Sequence, residues 1–229
     1  VNTYSYKTYK TGQKQPKSKP FKAKMRSSLA FTLKLITLRF IMSLKIQLYG
    51  ADVLRKIAEP ITTFDTSVQS FARLMLETMY VENGLGLAAP QVNRSIQMIV
   101  IDTSSSRRTP SDSDYILDGK SIPANILFPL TMINPKIVQQ SDLTIEAEEG
   151  CLSLPGITVK IRRPVHIGVD FLDIEGQAHH LIATNLLSRC IQHEIDHLQG
   201  KLIIDYTSAG AKARLRTKLV QLKRQQKRQ

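Results

Sequence analysis

Gln192-His193-Glu194-Ile195-Asp196-His197 lies near the C-terminal end of this 229-residue chain. As a helix it projects His193 and His197 from one face, four residues apart, so that both imidazoles can reach a single metal ion. Glu194 stands beside them as a candidate general acid/base. Two histidines and a carboxylate at this spacing also arise by chance in surface helices, so the flanking sequence has to decide.

Thr184 or Asn185 can cap such a helix, and Gly200 supplies a stop after it. Ahead of the cap, Val165, Ile167, Val169 and Phe171 alternate with His166, Gly168, Asp170 and Leu172, the pattern of a half-buried strand. Asp173-Ile174-Glu175-Gly176-Gln177 reads as a hairpin turn, and residues 178–182 as the returning strand. In the N-terminal half, Asp65 or Thr66 can cap a helix whose Val68, Phe71, Ala72, Met75 and Met79 recur at helical spacing and which stops at Glu82-Asn83-Gly84. Before it, residues 48–60 read as extended chain with one short helical turn around Val53-Leu54-Arg55. After it, Gly84-Leu85-Gly86-Leu87-Ala88-Ala89-Pro90-Gln91 has neither helical nor strand period, and its glycines and alanines let the backbone approach another group closely. A plain tight turn packed on the core is the simpler alternative. Residues 96–102 form a short apolar strand, residues 103–127 a long surface loop, insertion or lid, and strands resume at 130–133 and 136–139.

Two histidines need at least a third protein ligand, and the chain offers two cysteines, Cys151 and Cys190. Cys190 and His197 are seven residues apart, about 10.5 Å along a helix axis, whereas metal bonds run about 2.0–2.3 Å. One straight helix cannot close that triangle, so Cys190 reads as a small apolar wall next to His193. Cys151 belongs to a separate segment, Glu148-Glu149-Gly150-Cys151-Leu152-Ser153-Leu154-Pro155, whose Gly and Pro mark an irregular loop beside a strand. It can approach from another direction and leave a fourth position for water. Two cysteines give no disulfide framework; a reduced compartment is the better reading.

The net charge of +13 looks like a nucleic-acid signature until it is located. Residues 1–41 carry ten Lys/Arg and residues 211–229 carry eight, both without an acid, leaving 14 basic against 19 acidic side chains, a net of −5, in residues 42–210. Residues 1–25 are too polar to offset the entropy of ordering. Residues 27–41 are basic and apolar, either an organelle presequence or chain upstream of a start at Met42; residues 1–41 are excluded from the fold. No apolar run reaches the roughly 18 residues needed to span a bilayer. From Ala211, Leu215, Leu219 and Leu222 share a helical stripe with cations elsewhere, either a solvated basic helix or a surface for an anionic partner such as RNA.

Three stretches, Gly84 to Gln91, Glu149-Gly150-Cys151-Leu152-Ser153 and Gln192 to His197, resemble in order the three motifs of the peptide deformylases. The likeness runs from about residue 46 to 206, and the basic C-terminal helix is similar to that of the first, bacterial-type class; the loop at 103–127 is longer than is usual there. With the elements above, the resemblance implies an α+β fold, with mixed or antiparallel sheets packed around a central metal-binding helix, a further helix in the N-terminal half and a basic helix at the C-terminus. It implies a catalytic domain over residues 42–210 that removes the formyl group from N-terminal formyl-methionine. Cys151, His193 and His197 would hold one divalent ion, ferrous iron (Fe2+) physiologically, with zinc or nickel (Zn2+, Ni2+) possible in preparations. Glu194 would take the proton of the attacking water and return it to the leaving amine. The Gln91 side-chain amide and the Leu152 N–H would steady the charge on the formyl oxygen, each donor worth about 10²–10³ in rate. Gly86 would leave room for the substrate backbone, and Leu85, Leu186 and Cys190 would form the methionine pocket. Arg162 or Arg163 can pair with Asp196 behind the metal helix, a surface cation being the alternative. The implied partners are N-formyl-Met nascent peptides and, through the basic C-terminal helix, the ribosome. The enzyme would be a monomer without a membrane partner, placed in the bacterial cytoplasm or in an organelle if residues 1–41 are a presequence.

Two other readings compete. A zincin-type protease takes its third ligand, Glu or His, downstream, but the 29 residues after Gly200 hold no His and one acid, Asp205. An RNA- or ribosome-binding module would depend on the basic ends instead of Cys151.

Overall fold

Alternating apolar residues build most of the molecule. The computed structural model describes residues 43–104 and 115–229, which fall within one compact unit, Met42–Gln229. The expectations for residues 1–41 lie outside the described residues. In chain order the strands are β1 (Gly86–Ala88), β2 (Met98–Ile101), β3 (Tyr115–Leu117), β4 (Lys120–Ser121), β5 (Leu130–Gln140), β6 (Thr144–Gly150), β7 (Thr158–Pro164), β8 (His166–Leu172) and β9 (Ala178–Thr184). Seven of them form a sheet in the order β1-β2-β5-β8-β9-β3-β4, and β6 pairs with β7 alone. Every described ladder is antiparallel; a lone bridge between Glu59 and Ile96 is parallel. The helices are α1 (Thr66–Val81), a single turn α2 (Ala124–Leu127), α3 (Asn185–Leu198) and α4 (Ala209–Arg228). The architecture is α+β, as expected.

Strand β2 is buried on both faces because a helix covers each side. Met98 and Val100 pack with Ala72, Met75 and Met79 of α1, whereas Ile99 and Ile101 join Leu187, Ile191, Ile195 and Leu198 of α3. Burying each such side chain is worth about 1.5–3 kcal/mol. Helix α1 begins where expected: the Asp65 carboxylate accepts from the Ser67 and Val68 N–H groups at 2.9 and 3.2 Å. Helix α3 starts behind Thr184, whose side chain makes no capping bond. At its far end Gly200 (φ +70°) donates to the His197 carbonyl and Lys201 to that of Asp196, a Schellman closure. A Cβ on Gly200 would also stand 2.8 Å from the Arg55 carbonyl.

Three expectations need correction. The loop at 103–127 contains a hairpin: β3 and β4 flank Asp118-Gly119, both at positive φ, and β3 adds to the edge of β9. The two strands at 130–133 and 136–139 are one strand, β5, with its register shifted between Ile133 and Lys136. There Asn134 turns to φ 50°, and its side chain bonds both the N–H and the carbonyl of Ile61 at 2.8 Å. Finally, the loop expected beside one strand is flanked by two, β6 and β7, which pair with each other. They bring the loop after Gly150 over the end of α3.

Helix α4 packs as well as carrying charge. Leu219 and Leu222 are buried with Leu54, Leu154, Ile157, Ile161 and Ile204 in a second cluster, against which Leu215 is half-buried. Its Lys and Arg side chains are exposed.

Candidate metal centre

Helical spacing does what the sequence suggested: His193 and His197 project together from α3, with ring centroids 5.1 Å apart. Cys151 follows the last residue of β6, and its carbonyl accepts the Leu154 N–H in a turn that points the thiol at them. The ligand atoms of Cys151, His193 and His197 all lie within 4.8 Å of one another, with Cys151 Sγ 3.3 Å from His197 Nε2. Tetrahedral bonds of about 2.3 Å to sulfur and 2.0–2.1 Å to nitrogen would place such atoms about 3.5 Å apart. The donor set therefore fits a divalent ion. Among the described residues it is the one trio of this kind, and Cys190 is outside it.

Charge and hydrogen bonding prepare both imidazoles. Burial pushes the His197 pKa well below 6.5, which keeps its ring neutral. Burial works the same way on His193, but partners Cys151 and Glu149 outweigh it and raise its pKa well above 6.5, marking a place where positive charge is wanted. His193 Nδ1 lies 3.0 Å from Glu149 Oε2, so Nε2 is the atom left to bind an ion.

Glu149 is the residue the sequence reading passed over. Only 5% exposed, it accepts from Arg163 Nε at 2.6 Å and Nη2 at 2.9 Å, and from Arg189 Nη1 at 2.6 Å. Burial opposes its charge, yet hydrogen bonds from His193 and Arg163 hold its pKa down at about 2. Arg163 continues to Asp196 Oδ2 at 2.9 Å, and the Tyr206 hydroxyl donates to the same oxygen at 2.7 Å. Arg163, and not Arg162, is thus the partner of Asp196. The signal was present in the sequence, because Val159, Ile161 and Arg163 share the inward face of β7 while Arg162 is exposed.

A cavity of about 330 Å³ opens on the site, and Leu85, Gly86, Gln91, Cys151, Leu152, Leu186, Arg189, Cys190, His193 and Glu194 all line it. The Gln91 side-chain Oε1 accepts the Ala88 N–H at 2.8 Å, which turns its NH2 toward Ser153 Oγ (3.3 Å) and Cys151 Sγ (3.6 Å). Burial pushes the Glu194 carboxyl up to about 7, and its Oε2 is buried without a hydrogen-bond partner among the described residues. Burial likewise pushes the Cys190 thiol up to about 12, so it remains protonated. Gly86 also lies close to the acid: an added Cβ would come 2.9 Å from Glu194 Cγ and Cδ. The missing side chain makes room for the acid.

The family model for polypeptide deformylase matches residues 43–213. The chain belongs to that family. Deformylases of this family are metal-dependent hydrolases that remove the N-formyl group from nascent peptides, and this chain is one of them. It is 40% identical to the peptide deformylase of Acinetobacter baumannii over 77% of this chain and 89% of that one, and 42% identical to that of Opitutus terrae over 72% and 84%. Among solved structures, the deformylase of Ehrlichia chaffeensis aligns with a TM-score of 0.69 at 33% identity, covering 80% of this chain and 98% of that one. That of Legionella pneumophila aligns with a TM-score of 0.67 at 36% identity, covering 82% and 99%. The deformylase fold therefore accounts for the convergence of three separate motifs on one cavity.

Proposed function

We propose that Cys151, His193 and His197 hold one divalent ion, ferrous in the cell, and that Glu194, Gln91 and the Leu152 N–H carry out deformylation beside it. Zinc or nickel would suit the same thiolate and imidazoles. The observation that carries this reading is that Cys151 and His193, grouped with the buried His197 within 4.8 Å, line one cavity together with Glu194 and Gln91. The ion would supply Lewis acidity, lowering the pKa of a water toward neutrality and polarising the formyl oxygen. Glu194 accepts the proton of the attacking water, for which a carboxyl near pH 7 is well matched, and delivers it to the amine nitrogen as formate departs. Gln91 Nε2 and the Leu152 N–H donate to the formyl oxygen as it gains charge.

Leu85, Leu186 and Cys190 form the apolar pocket for the methionine side chain. The peptide backbone lies between two sheet edges, since β1 ends the larger sheet, β6 has one unpaired side, and Gly86 and Gly150 both line the cavity. All the ligands come from one chain, which suits a monomer. The exposed cations of α4 supply a ribosome contact, and nascent substrates suit the bacterial cytoplasm, or an organelle if residues 1–41 are a presequence; no described helix is long and apolar enough to cross a membrane. The test is to incubate metal-loaded protein with a formyl-Met peptide that also contains internal bonds. Release of formate with every internal bond intact is expected; internal cleavage with the formyl group retained would point to a protease.

A further inference from the structure

Arg189 lies on the cavity wall beside Leu186 and Cys190. It precedes His193 by four residues, so the two side chains share one face of α3 and both reach Glu149. Its side chain is 14% exposed. The guanidinium makes three bonds: Nη1 to Glu149 Oε1 at 2.6 Å, Nη1 to the Ile161 carbonyl at 2.9 Å, and Nη2 to the Ile145 carbonyl at 2.6 Å. Those acceptors belong to β6 and β7, the small sheet whose end carries Cys151. One side chain thus fastens the sheet that bears the thiolate to the helix that bears the imidazoles.

The Glu149 carboxylate has four bonds. Arg163 Nε and Arg189 Nη1 occupy Oε1, while Arg163 Nη2 and His193 Nδ1 occupy Oε2. Arg163 approaches from the Asp196 side and Arg189 from the cavity side. With Arg189 missing, Arg163 and His193 still hold the carboxylate, but Oε1 loses its contact from the cavity side, so the tilt of Glu149, and with it the direction of His193 Nε2, is less closely fixed.

We propose that Arg189 is a positioning residue for deformylation: its guanidinium fixes Glu149, and through it His193, while its methylene stem walls the methionine pocket. The proposal rests on the reading of Cys151, His193 and His197 as metal ligands. Partners that orient a metal-bound histidine typically cost about 10–100-fold in metal affinity or activity when lost.

The test uses Arg189→Lys and Arg189→Met in the full chain, with two readouts: zinc affinity by competition with a chelator, and kcat and KM on a formyl-Met peptide. Lys keeps the charge but has one nitrogen for three acceptors, so it removes geometry alone. About tenfold weaker zinc binding and about tenfold lower kcat are expected, with KM within about twofold of wild type because an apolar stem remains. Met removes a positive charge near a cation, which by itself would tighten zinc binding, so weaker binding in R189M isolates the orienting role even if R189K does not fold. Wild-type zinc affinity and kcat in a folded variant, whatever its Tm, would reduce Arg189 to a brace of the small sheet and overturn the proposal. If wild-type protein bound zinc but released no formate, the deformylase reading would fail while the competition experiment still judged Arg189.

Discussion

The Glu194 carboxyl shows how burial sets a group's chemistry. It is buried close against Gly86, and burial rather than any one neighbour raises its pKa to about 7. Glu194→Gln preserves the shape and removes the proton carrier. It should lower kcat by about 10²–10⁴ while the protein still binds one equivalent of metal, a result read from turnover and metal analysis on the same sample. Gly86→Ala tests the close approach directly, because the new methyl can be accommodated only if Glu194 moves. A fall in kcat with metal content unchanged is expected; wild-type turnover would mean that the acid has slack. Both roles follow from side-chain types that the sequence displayed. Glu149 was harder to see, since its strand reads Thr144-Ile145-Glu146-Ala147-Glu148-Glu149 and nothing in that run distinguishes the buried glutamate from its two exposed neighbours. Only pairing with β7, which sets Glu149 on the same side as Arg163, makes it the centre of the ion network.

At the scale of elements, the long periodic segments were legible and the short ones were not. Helices α1 and α3 and the β8–β9 hairpin follow from spacing alone, because each buries one regular face. The hairpin of β3 and β4 spans only three and two residues, and the composition around it reads as loop. Its one clear signal was Asp118-Gly119, the pair favoured where both central residues of a two-residue turn need positive φ. Within the larger sheet, the turn of this hairpin is clamped to β9 by His179, whose Nδ1 bonds Asp118 Oδ2 at 2.7 Å and whose Nε2 lies 3.2 Å from Asp173 Oδ2. The Asp118 bond, opposed by slight burial and aided by Asp173, raises the His179 pKa above 6.5. A raised folded-state value means that the clamp contributes fully below about pH 6.5 and fades as the pH rises through the folded pKa. The difference in urea midpoint between wild type and His179→Gln should therefore be largest at pH 5.5–6 and shrink toward about pH 9. A difference that grows with pH would contradict the clamp.

For the whole molecule, the proposed metal site adds one more tie between two parts already joined by ion pairs: the end of β6 supplies Cys151, and α3, packed under the larger sheet, supplies both histidines. An ion that binds only the folded arrangement stabilises it by about 2.7 kcal/mol at a free concentration one hundred times Kd. Removing metal with a chelator should lower the Tm of the wild type, and re-addition should restore it, whereas Cys151→Ala should show neither change in a scanning calorimeter. Whole-molecule context also revises the view of the C-terminal helix. Its basic composition was evident from the sequence, but Leu219 and Leu222 are buried against the cluster around Leu54 and Leu154. Deleting residues 211–229 would uncover that cluster, so a ribosome contact is better probed by replacing exposed cations such as Arg216 and Arg224 than by truncation. The sequence could assign charge to this helix, but only the packed structure shows what its leucines cover.

The measurement that bears most directly on the metal centre is X-ray absorption at the edge of the bound ion in zinc-loaded protein. One sulfur at about 2.3 Å and two imidazole nitrogens at about 2.0–2.1 Å are predicted, with the sulfur lost in Cys151→Ala. A shell of nitrogen and oxygen alone in the wild type, or one with two sulfurs that brings in Cys190, would contradict the assignment of Cys151, His193 and His197.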